Sequence, residues 1–173
     1  MQSTSDTIVI EEYFHMTLPG TWSRVFNKAE HRWNFLSHTG KEQITVSMTF
    51  DKRGTLGQPQ PNVLENIINI RRATEAKACP NPVELSETVT VRNGQILCAR
   101  YEGIENNKDS LRRFSCMLMS NGTMIAIFYF EAVGIAHDEF QHRGRTAFNS
   151  IVIPVGKPKR TLFDRIGEFF RLL

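Results

Sequence analysis

The sequence predicts an α+β domain: an antiparallel β-sheet of about six or seven strands covered by helices, with an amphipathic helix added at the C-terminus. Three observations carry this expectation. Runs of period-two alternation are joined by short glycine-containing turns, two segments place apolar residues at helical spacing, and a last apolar stripe follows a basic, proline-containing linker. At 173 residues the chain is long enough to bury a core without disulfides or metals. Its 40% apolar and 23% charged residues match ordinary globular domains, so a folded core is expected rather than a disordered chain.

In chain order, Ile8 to Leu18 reads as one strand, with Phe14, Met16 and Leu18 alternating with His15 and Thr17 before Pro19-Gly20 ends it. Trp22 is expected to pack under that turn. Arg32 to Ser37 and Gln43 to Phe50 flank His38-Thr39-Gly40-Lys41 and read as a hairpin. The second arm sets Ile44, Val46, Met48 and Phe50 against Thr45, Ser47 and Thr49, which implies one buried and one wet or lightly covered face. After a Gly/Pro-rich loop over Asp51 to Gln60, Asn62 with Glu65 gives a capping-box start for a helix over Val63 to Ala78. Val63, Leu64, Ile67, Ile68 and Ile70 form its apolar positions, and Pro80 and Pro82 stop it. Thr88 to Arg92 and Gln95 to Tyr101 form a hairpin about Asn93-Gly94; a polar loop over Glu105 to Ser110 follows. Arg112 to Ser120 and Thr123 to Ala132 then turn about Asn121-Gly122. In the last arm Met124, Ala126, Phe128 and Phe130 oppose Ile125, Ile127 and Tyr129, a strand apolar on both faces and therefore central. A helix over Ala136 to Asn149 carries Phe140, Gly144, Ala147 and Phe148 in one stripe, and Pro154 closes the body. The two body helices are expected to cover the apolar face of the sheet.

Residues 1–156 therefore form one domain, and 157–173 a basic linker with an amphipathic helix. The last seventeen residues carry five basic and two acidic side chains, which accounts for the whole net charge of +3 and leaves the body electrically balanced. A balanced body lacks the basic footprint of a nucleic-acid binder, so no nucleic acid is expected as partner. Cys79, Cys98 and Cys116 are an odd set at wide spacing without a C-x-x-C pair, which suggests neither a disulfide framework nor a zinc site and fits free thiols in a reducing compartment. Met1 to Thr7 shows no basic segment and no apolar run, and no stretch reaches the length of a membrane span, so the expected location is cytoplasmic.

The element order, together with Phe14-His15-Met16-Thr17-Leu18-Pro19-Gly20-Thr21-Trp22, resembles the PsbP-like superfamily over about residues 8 to 153. Many of its members open with a strand ending in Leu-Pro-x-x-Trp or a close variant. The resemblance implies a sandwich of an antiparallel sheet between helices and no shared catalytic apparatus. Members include photosystem assembly proteins, a nuclear transport factor for a small GTPase, bacterial lipoproteins and chaperones of type VI secretion effectors. This chain departs from the lipoproteins in having no N-terminal Cys and no signal segment, which argues against a periplasmic role; bacterial members without a signal peptide often resemble chaperones or partners of secreted effectors.

The chemistry-bearing residues point the same way. There is no G-x-S-x-G, and Cys98 and Cys116 lie inside strands, where a small apolar side chain fits; Cys79 stands at a helix end before Pro80, the wrong end to favour a thiolate. His137 and His142 are five apart and face different sides of a helix, and His15, His31 and His38 are scattered, so no metal is expected. Glu11-Glu12 alternate across a strand and cannot act on one bond, and Gly54 and Gly57 sit in a loop without a phosphate-binding Lys-Ser/Thr. Trp33, Phe35 and Phe114 near Arg32, Arg112 and Arg113 could make a stacking platform, but core aromatics beside solvated arginines are the plainer reading. No enzyme and no cofactor is therefore expected; a site assembled from the Asp51 to Gln60 and Glu105 to Ser110 loops is the enzymatic alternative.

The tail has the most distinctive pattern. Leu162, Phe163, Ile166, Phe169, Phe170 and Leu173 form one stripe opposite Asp164, Arg165, Glu168 and Arg171. A helix of about 12 residues is marginal alone in water, so this stripe needs a surface: its own body, a second copy, a partner protein or an anionic membrane. The functional expectation is a non-catalytic protein-binding module, a bacterial chaperone or partner of a secreted effector, with these six residues as partner-binding positions. The other alternative is a peripheral membrane protein held by the C-terminal helix.

Overall fold

The computed structural model describes residues 5–10, 13–30, 32–50, 61–78, 83–85, 89–93, 96–107 and 110–153. The chain opens with β1 (Ser5–Ile10) and β2 (Phe14–Pro19), an antiparallel pair running from Ser5 opposite Pro19 to Ile10 opposite Phe14. The single strand expected over Ile8 to Leu18 is thus a tight hairpin. Alternation marks only its second arm, where Phe14, Met16 and Leu18 are fully buried and His15 is exposed, and that arm alone was visible as a pattern. Trp22 closes the following turn by donating from Nε1 to the Pro19 carbonyl at 3.0 Å.

Trp22 also begins β3 (Trp22–Asn27), which no periodicity announces, because its middle four residues are all exposed. β4 (Arg32–Ser37) and β5 (Glu42–Phe50) form the expected hairpin, followed by α1 (Pro61–Ala78). The helix starts one residue before Asn62, at a proline whose missing N–H costs nothing in the first turn, so Asn62 lies inside the helix and not at its cap. Ile70 is 67% exposed and falls off the stripe that Leu64 and Ile68 bury. Next come β6 (Val83–Leu85), too short for periodicity to reveal, and β7 (Val89–Asn93), β8 (Ile96–Asn107), β9 (Ser110–Ser120) and β10 (Met124–Val133). The loop expected at Glu105 to Ser110 is mostly strand, since the β8–β9 ladder continues to Asn107 opposite Ser110. Both glycine turns move by one residue. Asn93 pairs with Ile96, and Asn121 closes its turn as a partner of Met124, accepting on Oδ1 from the Thr123 and Met124 amides at 3.1 and 2.9 Å. Gly122, at φ 85°, is left to take the left-handed position.

All pairings are antiparallel. The sheet runs β3-β4-β5-β10-β9-β8, and the position beyond β8 is shared by β7 and β6. β10 is central, as its two apolar faces require, and those faces feed two separate cores. On one face Phe35, Ile44, Val46, Phe128 and Phe130 pack against the β1–β2 hairpin and α2 (His137–Asn149), which contributes Phe140, Ala147 and Phe148. Phe130 and Phe140 stack with centroids 5.1 Å apart. Gly144 permits that approach, because a Cβ there would stand 3.2 Å from the Phe130 ring. On the other face Leu64 and Ile68 of α1 cover Phe114, Cys116, Leu118 and Ile125. The helices therefore lie on opposite faces and do not share one, because β9 and β10 are apolar on both sides. After α2 the chain returns to β2: His15 and Val152 exchange backbone hydrogen bonds at 2.9 Å, and Ser150 Oγ donates to the Thr17 carbonyl at 3.0 Å.

Candidate functional site

The partner-binding stripe Leu162, Phe163, Ile166, Phe169, Phe170 and Leu173 lies outside the described residues, as do Cys79, His31, Glu11-Glu12 and the Asp51 to Gln60 loop. Cys116 is fully buried on the α1 face, the packing role expected of it, and Cys98 lies within β8 opposite Met119. His15, His38, His137 and His142 are exposed on separate elements or turns of helix, and among the described residues no three His, Cys, Asp or Glu side chains gather. The aromatic platform is not assembled. Phe35 and Phe114 are fully buried on opposite faces of the sheet, while Trp33 sits under Phe26 and Arg24, at 4.5 and 5.3 Å from its ring. Arg113 turns inward to the Ile135 carbonyl at 3.1 Å.

Two features stand out instead, both on the β3-β4-β5 half of the sheet. The first is the outer strand. β3 ends the sheet, and on the α1 face its Val25 is 61% exposed beside Leu36 of β4 at 44%. The helix covers β8, β9 and β10, so these side chains have no cover among the described residues. Phe26, 40% exposed, shows on the opposite face. Exposed apolar side chains beside open backbone hydrogen-bonding groups are a template for another strand.

The second is a polar cleft of about 250 Å³ on the same face, between α1 and the floor of β4, β5 and β10. Sheet register builds it in rows. Arg32 faces Ser47, which faces Ile127; Thr45 faces Tyr129; Gln43 faces Glu131; and Arg71 reaches in from α1. Glu131 is matched by Arg112, which pairs with it at 2.9 Å, donates to the Tyr129 hydroxyl at 2.6 Å and lies over the Phe114 and Tyr129 rings. Thr45 donates to Asn34 Oδ1 at 3.2 Å. The sequence carried one signal for this cleft: the hydroxyl face of β5, polar where the neighbouring β10 positions are apolar.

Behind the cleft, on the α2 face, Glu42 is 2% exposed and meets Arg143 Nη1 at 2.6 Å, while Arg143 Nη2 reaches Glu139 at 2.7 Å. Burial pushes the Glu42 carboxyl above its ordinary value; Arg143 pulls it back and Glu139 adds to the push. This group is a structural tie between β5 and α2, not an exposed acid.

These layers define a class of protein before any particular relative: an antiparallel sheet between helices with no assembled catalytic group among the described residues. No protein-family model matches the chain, and no curated protein matches its sequence. Solved structures do match. The cyanobacterial PsbP of Synechocystis superposes with a TM-score of 0.66 at 11% identity, over 89% of this chain and 95% of that one. A protein of Bacteroides thetaiotaomicron gives 0.53 at 10% identity, over 89% of this chain but 49% of its own. The Ran-binding protein Mog1p of Saccharomyces cerevisiae gives 0.50 at 9% identity, over 88% and 96%. The fold is PsbP-like.

Proposed function

We propose that the protein is a non-catalytic binding module that holds an extended segment of another polypeptide, acting in the cytoplasm as a chaperone or partner of a secreted effector. The observation that carries this reading is the outer strand β3, with its Val25 and Phe26 exposed beside Leu36 of β4. A segment adding to β3 would satisfy its outward main-chain groups and cover those side chains. Full burial of such a side chain is worth roughly 1.5–3 kcal/mol, so partial cover of three is on the order of a few kcal/mol before ordering costs. Arg24 on β3 and Lys28 just beyond it favour a segment with acidic residues. The Ran-binding description of the yeast neighbour supports a protein as partner at the level of the fold alone.

The test is site-specific photocrosslinking in living cells, with a photoreactive residue at Val25 and, as control, at Ile70, exposed on α1. The expected result is one discrete polypeptide adduct from position 25 in the cytosolic fraction and none from position 70. Mass spectrometry of the adduct then separates an effector from a second copy of this chain. Equal labelling from both positions, or none from 25, removes the reading.

A further inference from the structure

Among the residues that line the polar cleft, Arg71 and Ser47 supply hydrogen-bond donors without an acceptor, and Arg32 adds a second guanidinium. Arg71 has no hydrogen-bond or ion-pair partner among the described residues, and neither does the Ser47 hydroxyl. Arg32 faces Ser47 across the β4–β5 ladder. It is ion-paired through Nε to Glu30 at 2.5 Å, a contact half exposed to water and not aligned as a hydrogen bond, so an anion in the cleft would share Arg32 with Glu30. The cleft's own acid, Glu131, is already matched by Arg112 at the far end.

Two guanidinium groups from different elements and a hydroxyl lining one cleft suit a tetrahedral oxyanion better than a flat carboxylate. Each fork can give parallel N–H bonds to a pair of oxygens, and the hydroxyl can serve a third. The volume of about 250 Å³ is below the roughly 300–1,000 Å³ of sites for drug-sized ligands, so the occupant is a small group. We infer that this cleft binds a phosphate group through Arg32, Ser47 and Arg71, either as free phosphate or as the phosphomonoester of a small alcohol. The site is separate from the β3 edge and stands whether or not a polypeptide docks there.

The experiment is NMR titration of the full-length labelled protein, following amide signals and arginine Nε–H signals, with inorganic phosphate, glycerol phosphate and acetate at constant ionic strength. Saturable shifts of Arg32, Arg71 and Ser47 with one dissociation constant are expected for the phosphates, and the tighter of the two names the source. Acetate should bind at least about tenfold more weakly. Arg71→Gln removes one charge-assisted contact and should weaken phosphate by about tenfold, while Lys77→Gln on the same helix leaves it unchanged. Ser47→Ala, a small change on the sheet floor, provides a second weakened variant whose dispersed spectrum verifies folding. Shifts that never saturate, that chloride reproduces, that acetate matches, or that survive Arg71→Gln would overturn the assignment.

Discussion

Replacing Arg143 by Met tests whether the Glu42 tie is a buried charge held in place by its partner. Stripping one partner from a buried pair costs about 3–5 kcal/mol when the pair is fully enclosed. Here Arg143 keeps a third of its side chain in water, which screens the interaction, so about 2 kcal/mol at pH 7 is the working figure. For a domain of this size that is a fall in Tm of roughly 4–8 °C. The pH dependence is the sharper part. Burial raises the folded-state pKa of Glu42 above its unfolded value near 4.5, so its stabilising contribution is fully present below pH 4.5 and is lost as pH rises through the folded value. Removing Arg143 takes away the downward pull and raises that folded value further. The cost of Arg143→Met should therefore be greatest at pH 7 and shrink towards pH 5, measured by urea unfolding with Trp22 and Trp33 fluorescence. Glu42→Gln should instead be neutral or stabilising at pH 7. A penalty for Arg143→Met that is equal or larger at pH 5, or a Glu42→Gln loss as large as that of Arg143→Met at pH 7, would refute the reasoning.

Phe128→Ala empties a fully buried site edge-on to Phe14 at 5.2 Å and should cost about 3–5 kcal/mol, read as a fall in the urea midpoint. Asn121→Ala deprives the Thr123 and Met124 amides of their acceptor and should cost about 1–2 kcal/mol with an unchanged denaturant slope. Val25→Lys, at a position 61% exposed, should alter stability by less than about 0.5 kcal/mol while abolishing the crosslinked adduct when paired with a photoreactive residue at Leu36.

What the sequence revealed follows from where burial is one-sided. β5, β10 and α2 were legible because Ile44 and Val46, the two faces of β10, and Phe140 with Phe148 repeat at the period of their element. β3 was not, because an outer strand with exposed residues throughout its middle has no alternation to read. β6 is three residues long, shorter than any periodicity. The turn lies one residue later than the Asn121-Gly122 pair suggests, because the Asn121 side chain accepts backbone amides and makes Asn121 the residue before the turn. The cleft was harder still: Arg32 and Ser47 meet through strand register, but Arg71 joins them only because α1 crosses that face, and no local pattern encodes a contact between a helix and a strand far apart in sequence.

The two borders of the sheet carry the last step towards a binding role. An open strand edge invites unwanted pairing, and proteins blunt such edges with short strands, breaks and charges. The border beyond β8 follows that rule, divided between β6 of three residues and β7 of five. The border at β3 does not: it is one unbroken strand of six residues in which Arg24 is the only charge, and Arg24 lies over the Trp33 ring. With Val25 and Leu36 exposed beside it, this edge has a standing liability to self-association. A chain that breaks up one border and leaves the other continuous and apolar is better accounted for if the second is covered by a partner strand. On that reasoning Val25→Lys should raise the concentration at which the isolated protein begins to aggregate, a change static light scattering would detect. No change in that threshold would mean that the β3 edge is already shielded, and the case for strand addition there would fall.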